Sequence, residues 1–183
     1  MIEVAPTALH GVVEIRPRQF SDDRGFFSET WNRAAMAEAG LDHDFVQDNH
    51  SLSIASGVLR GLHFQVPPAA QVKLVRVSRG AIFDVAVDIR RASPTFGQWV
   101  GVTLSAEAWN QLLIPHGFAH GFLTLEERTE VQYKVSSVYD PAAERTIRWD
   151  DPDLAIDWPV REGLILSDKD RAAPSLSDVE TGF

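Results

Sequence analysis

Between residues 72 and 139 the chain alternates apolar and polar positions. VKLVRVSRG (72–80) puts Lys73, Val75 and Val77 in phase until Gly80 interrupts, and AIFDVAVDIR (81–90) puts Phe83, Val85, Val87 and Ile89 on one face. QWVGVTL (98–104) and EVQYKVSSVY (130–139) follow at similar intervals, with Tyr133 in phase with Val131 and Val135. Period-two runs of β-branched and aromatic residues, punctuated by Gly, Pro and Ser, predict the short strands of an all-β sandwich or barrel. One segment reads differently. NRAAMAEAGL (32–41) is alanine-rich and ends at Gly40, which predicts a short helix with a glycine stop. No repeat, low-complexity tract or linker interrupts the pattern, so a single domain over 1–183 is expected.

The stretch LRGLHFQ (59–65) breaks the alternation. Strict period two sends Arg60, Leu62 and Phe64 to one face and Leu59, Gly61, His63 and Gln65 to the other, so Arg60 and His63 point apart. A glycine inside a strand often marks a bulge, and one extra residue at Gly61 would turn both polar side chains to the same side. A site is expected there. The same alternation directs Lys73 and Tyr133 inward. Each also has a purely structural reading, a strand-end lysine whose head reaches water and a core ring with a satisfied hydroxyl.

Composition narrows the chemistry. With 44% hydrophobic and 23% charged residues the chain has enough apolar content for a sizeable core, and no apolar run long enough to span a membrane. The start, MIEVAPTALHG, lacks a basic region followed by an apolar one, so a cytoplasmic protein is expected. The absence of cysteine excludes disulfides, thiolate nucleophiles and cysteine-held metal centres. A formal charge of −9 argues against a broad nucleic-acid surface. A small anion remains a possible ligand where a few Arg and Lys converge in a cleft.

IPHGFAHGFLTL (114–125) adds His116 and His120 to His63, three histidines near strand ends, which raises a metal site as one alternative. Pro115, Gly117 and His120 match the second half of the cupin signature, but His63 is followed by Phe64 and Gln65 where metal-binding cupins place a second histidine and a glutamate. The other alternative is a metal-free pocket for proton transfer. Histidine titrates near neutrality and serves as a general base. Removing a proton beside a ketone also needs a donor for the enolate oxygen, which Lys73 and His120 could supply, and Tyr133 could return a proton to the opposite face.

Longer motifs carry a resemblance. DDRGFFSETW (22–31), FVQDNHSLS (45–53), GVLRGLHFQ (57–65), the run from Gln71 to Trp99, IPHGFAHGF (114–122), the run from Tyr133 to Pro159 and the tail LSDKDRAAPSL (166–176) occur in this order. Over nearly its full length the chain resembles the dTDP-4-dehydrorhamnose 3,5-epimerase family. The resemblance implies a cupin-type jelly-roll with a few short helices, no cofactor or metal, a nucleotide-sugar substrate, a homodimer formed by strand exchange, and no nucleic-acid or membrane partner. It implies epimerisation of dTDP-4-dehydro-6-deoxy-α-D-glucose at C3 and C5 through enolates, to dTDP-4-dehydro-β-L-rhamnose. Single-site epimerisation at C3 or C5 is the alternative within the family.

The implied roles are His63 as base, Tyr133 as acid, Asp170 as the carboxylate orienting His63, and Lys73 beside the C4 oxygen. His120 is implied to line the sugar pocket, Arg24, Arg60 and Lys169 to hold phosphates or nearby polar groups, Glu29, Gln47, Asn49 and Glu144 to contact ligand, and Tyr139 to stack on thymine. Asp22, Asp23, Asp150 and Asp151 are expected in turns facing solvent. Trp99, Trp109, Trp149 and Trp158 are expected in core or dimer packing. Two readings from other classes remain at this point, a metal-dependent cupin enzyme and a nucleotide-sugar binding protein without catalysis.

Overall fold

The alternating segments become strands in a computed structural model, which describes residues 2–183. In chain order they are β1 (Ile2–Pro6), β2 (Val13–Pro17), β3 (Phe20–Asp22), β4 (Gly25–Phe27), helix α1 (Arg33–Glu38), β5 (Gln47–Ser53), β6 (Leu59–Gln65) and β7 (Lys73–Arg79). There follow β8 (Ala81–Asp88), β9 (Trp99–Ser105), β10 (Gln111–Ile114), β11 (Phe118–Thr124), β12 (Thr129–Val135), β13 (Glu144–Thr146) and helix α2 (Asp168–Arg171). Two antiparallel sheets result, six strands in the order β1-β2-β10-β7-β12-β5 and five in the order β13-β6-β11-β8-β9, the jelly-roll architecture of a cupin. Among the described residues β3 and β4 pair only with each other, as a separate hairpin.

Alternation explains how the layers bind. Val75 and Val77 of β7, Val131 of β12 and Ile82 and Ala86 of β8 meet in the space between the sheets. The opposite face of the five-stranded sheet is also apolar, because Val85 and Val87 of β8 and Leu62 and Phe64 of β6 are covered by Ile147, Ile156, Trp158 and Leu176 from the C-terminal segment. On the outer face of the other sheet, Leu74 and Ile15 pack against Met36 of α1. Each aliphatic side chain so buried contributes roughly 1.5–3 kcal/mol.

α1 begins where Asn32 caps it, its side chain accepting from the Ala35 N–H at 3.2 Å, and Gly40 follows at φ 77°. The strand expected through residue 139 ends at Val135, since from Ser136 onward the chain leaves the ladder. Asp151 also departs from expectation. It is 2% exposed, accepts from the Leu176 N–H at 2.7 Å and ties the C-terminal covering segment to the fold. A buried carboxylate that satisfies backbone N–H groups has the same sequence appearance as a turn aspartate. Trp158 is buried, Trp99 and Trp149 pack on its cluster, and Trp109 stacks edge-on against Phe26.

Candidate active site

Gly61 resolves the phase of the sixth strand. Leu59, Leu62 and Phe64 share the covered outer face, whereas Arg60 and His63 both line the cleft between the sheets, so one extra residue is inserted between Arg60 and Leu62. The pairing of β11 with β6 shifts register at that point, from His120 opposite His63 to Phe122 opposite Arg60. Only glycines allow the approach. Gly61 has φ 131°, and a Cβ there would lie 2.5 Å from Gly121 Cα.

The bulge delivers His63 to Asp170 across 107 positions of sequence, with 2.5 Å between His63 Nε2 and Asp170 Oδ1. Asp170 sits in α2, whose capping residue Ser167 donates to Asp170 Oδ2 at 2.8 Å and accepts from the Asp170 N–H at 3.1 Å. Burial would raise the Asp170 pKa, but hydrogen bonds from His63, Ser167 and the Gly61 N–H outweigh it and hold the carboxyl below its ordinary range. An ionised Asp170 accepts from Nε2–H. His63 Nδ1 then keeps the free lone pair a base requires.

A second histidine–aspartate pair lies beside the first. His120 Nε2 is 2.6 Å from Asp84 Oδ1, and Asp84 is fully buried with its Oδ2 unpartnered among the described residues. Burial lowers the His120 pKa despite the opposing pull of Asp84, so the ring is neutral at neutral pH. Sequence reading missed Asp84. The available signal was a carboxylate in phase with Ile82 and Ala86, in a strand apolar on both faces.

The facing sheet supplies Lys73 and Tyr133. Lys73 is 8% exposed and donates from Nζ to the His63 carbonyl at 3.2 Å. Burial lowers its pKa to about 8, while the nearby charges of Asp84 and Glu144 resist the fall. Tyr133 is pushed above the ordinary phenol value, mainly by burial, so its hydroxyl stays protonated. His63, Lys73 and Tyr133 line both lobes of the cleft. The larger lobe, about 480 Å³, also holds Arg60, His120, Asp170 and the apolar Phe122, Ile165 and Leu166. That size suits a small-molecule site. The second lobe is bordered by Gln47, Asn49, Tyr139 and Glu144. There the Tyr139 hydroxyl donates to Glu144 at 3.0 Å, and Lys169 pairs with the same carboxylate at 2.6 Å.

Eleven of the thirteen residues named from sequence therefore surround one cleft or its rim; the other two do not reach it. Arg24 stands on the β3–β4 hairpin with its side chain 90% exposed, paired to Asp22 at 2.6 Å, and Glu29 follows the hairpin, accepting from Asn32 at 3.3 Å. Among the described residues the hairpin pairs with no other strand, and neither side chain lines the cleft. Lys169 is correspondingly at the Tyr139 end, held by Glu144 rather than placed beside Arg60. The three-histidine grouping is not assembled either. His116 is exposed on its turn, and among the described residues no three His, Asp or Glu side chains converge in ligating geometry.

A cupin-type sandwich whose cleft presents two histidine–aspartate pairs, a buried lysine and a protonated tyrosine is equipped for proton transfer at carbon. The chain belongs to the dTDP-4-dehydrorhamnose 3,5-epimerase family, whose sequence model matches residues 6–178. A dTDP-4-dehydrorhamnose 3,5-epimerase of Pseudomonas aeruginosa is 54% identical over 174 residues, covering 94% of this chain and 95% of the relative. A crystal structure of the Bacillus anthracis enzyme of that name, with TDP and PPi bound, superposes with a TM-score of 0.93 at 50% identity, covering 96% of this chain and 99% of the other. The Legionella pneumophila dTDP-6-deoxy-D-glucose-3,5-epimerase in complex with dTDP-4-keto-L-rhamnose gives 0.94 at 47% identity, covering 98% and 95%. No helix among the described residues is long and apolar enough to cross a membrane.

Proposed function

We propose that the protein is a dTDP-4-dehydrorhamnose 3,5-epimerase, an isomerase that inverts C3 and C5 of dTDP-4-dehydro-6-deoxy-α-D-glucose to give dTDP-4-dehydro-β-L-rhamnose. The observation that carries this reading is the placement of His63 and Tyr133 on opposite sheets, with both side chains lining one cleft. C3 and C5 both flank the C4 ketone, so one base can serve each in turn. His63 Nδ1 removes the proton, and Asp170 stabilises the imidazolium so formed. Charge moves onto the C4 oxygen, where Lys73 offers a donor in a site largely shielded from water, and His120, held by Asp84, lines the sugar pocket beside it. The enolate is planar. Tyr133 delivers a proton from the other side, and its raised pKa keeps that proton available. The reaction runs through side chains alone, with no cofactor.

The second lobe suits the nucleoside, with Tyr139 as a stacking face and Glu144 and Lys169 at its edge, while Arg60, Gln47 and Asn49 attend the diphosphate. Arg24 and Glu29 enter this scheme through a homodimer. The β3–β4 hairpin exposes Phe20, Phe26 and Phe27, the last 65% exposed, and such aromatic surface favours burial against a second copy. Activity in the cytoplasm fits a nucleotide-activated substrate. Incubating purified protein with the 4-dehydro-6-deoxyglucose nucleotide and following the sugar by NMR tests the reading. Appearance of the L-configured product supports it, and an unchanged substrate overturns it. Light scattering tests the dimer, which a monomeric mass contradicts.

A further inference from the structure

We propose that Ser51 is an additional substrate-binding residue, donating a hydrogen bond to the diphosphate of the nucleotide sugar; the inference rests on the nucleotide-sugar reading above. It starts from a departure in β5, an edge strand whose inward positions would ordinarily be apolar. Here they are Gln47, Asn49, Ser51 and Ser53, all more buried than the outward Asp48, His50 and Leu52. Three of the four have partners. Gln47 donates to Asn49 Oδ1 at 2.8 Å and accepts from the Tyr139 N–H at 3.0 Å, and Ser53 accepts from Arg60 Nη2 at 3.5 Å. Ser51 Oγ is buried and has no hydrogen-bond partner among the described residues.

An unmade hydroxyl bond in a shielded position destabilises the free fold, and alanine or valine would fill a strand position without that cost. The hydroxyl is accounted for if a ligand completes it. Ser51 lines the cleft with Arg60, which makes no ion pair among the described residues. A guanidinium without a carboxylate partner, bonded only at 3.5 Å to Ser53, and an unpartnered hydroxyl together present donors in excess of acceptors, which is what a phosphate oxygen requires. Position agrees with chemistry. Along β5, Ser51 falls between Asn49, which borders the nucleoside lobe, and Ser53, which touches Arg60. The diphosphate joining nucleoside to hexose must cross that junction.

The test compares dTDP and thymidine binding, by NMR titration, for the wild type, Ser51→Ala and Ser51→Thr. The proposal expects Ser51→Ala to weaken dTDP binding about tenfold and leave thymidine unchanged. It expects Ser51→Thr, which keeps a hydroxyl, to recover part of the loss, and the Ser51→Ala unfolding midpoint to equal or exceed that of the wild type. Wild-type dTDP affinity in Ser51→Ala overturns the proposal, as does an equal loss for dTDP and thymidine, which would mark general damage to the cleft. A wild-type protein that binds no dTDP would overturn the nucleotide-sugar reading as well.

Discussion

Replacing Lys73 by methionine separates the energetics of the fold from those of the reaction. The ammonium is almost wholly enclosed, and burial moves its pKa from 10.5 to about 8. That displacement corresponds to a penalty of about 3 kcal/mol on the folded state at neutral pH, relative to a chain whose lysine carries no charge. Between about pH 8 and pH 10.5 the unfolded lysine still holds its proton and the folded one does not, so wild-type stability rises with pH across that window. Methionine keeps the length and the apolar stem without the charge. Allowing about 1 kcal/mol for the lost bond to the His63 carbonyl, Lys73→Met should be more stable than the wild type by about 2 kcal/mol near pH 7. The advantage should vanish near pH 10. Urea unfolding at about those two pH values measures both terms. The same variant lacks a donor for the C4 oxygen and should lose about 10²- to 10³-fold in turnover. A variant less stable than wild type near neutrality, with the same dependence on pH, would refute the reasoning.

Other substitutions address the remaining parts. Asp170→Asn keeps the shape beside His63 but removes the charge that supports the imidazolium, so turnover should fall about 10²- to 10⁴-fold; a loss under about threefold would contradict the pairing. Tyr133→Phe should leave solvent exchange at the carbon acids intact and impair inversion, which NMR of the sugar in D2O distinguishes; normal yields of the L-sugar would remove Tyr133 from the acid role. Gly61→Ala places a Cβ 2.5 Å from Gly121 Cα and 2.9 Å from the His120 carbonyl oxygen, at φ 131°. Backbone cannot yield there cheaply, so urea unfolding should report a loss of about 3 kcal/mol or more, and wild-type stability would contradict the close strand approach.

Local patterns in the sequence carried much of the fold and part of the site. Alternation in 72–90 and 130–135 placed Lys73 and Tyr133 inward because period two survives folding wherever both neighbours are paired. The phase break at LRGLHFQ was equally readable, since a glycine in a strand has few other uses. The limits were set by distance. Asp170 meets His63 across 107 residues, and only family resemblance, not spacing, joined them. Asp84 resembled one more polar residue in a strand until its partner His120 appeared opposite Ala86, two rungs along. Asp151 does serve its turn, accepting from the Asp153 N–H at 2.9 Å, but it is buried rather than solvent-facing because the segment it anchors arrives from residue 176. Arg24 and Glu29 show the boundary most plainly. Their motif was legible, but no alternation or spacing signals that it would lie on a hairpin paired with neither large sheet.

The measurement that bears most directly on the central claim is deuterium incorporation into the nucleotide sugar in D2O, counted at C3 and C5, for wild type and His63→Ala. The account predicts label at both carbons with L-configured product from the wild type and almost none from the variant. Label at only one carbon would contradict 3,5-epimerisation, and wild-type exchange in His63→Ala would contradict the base.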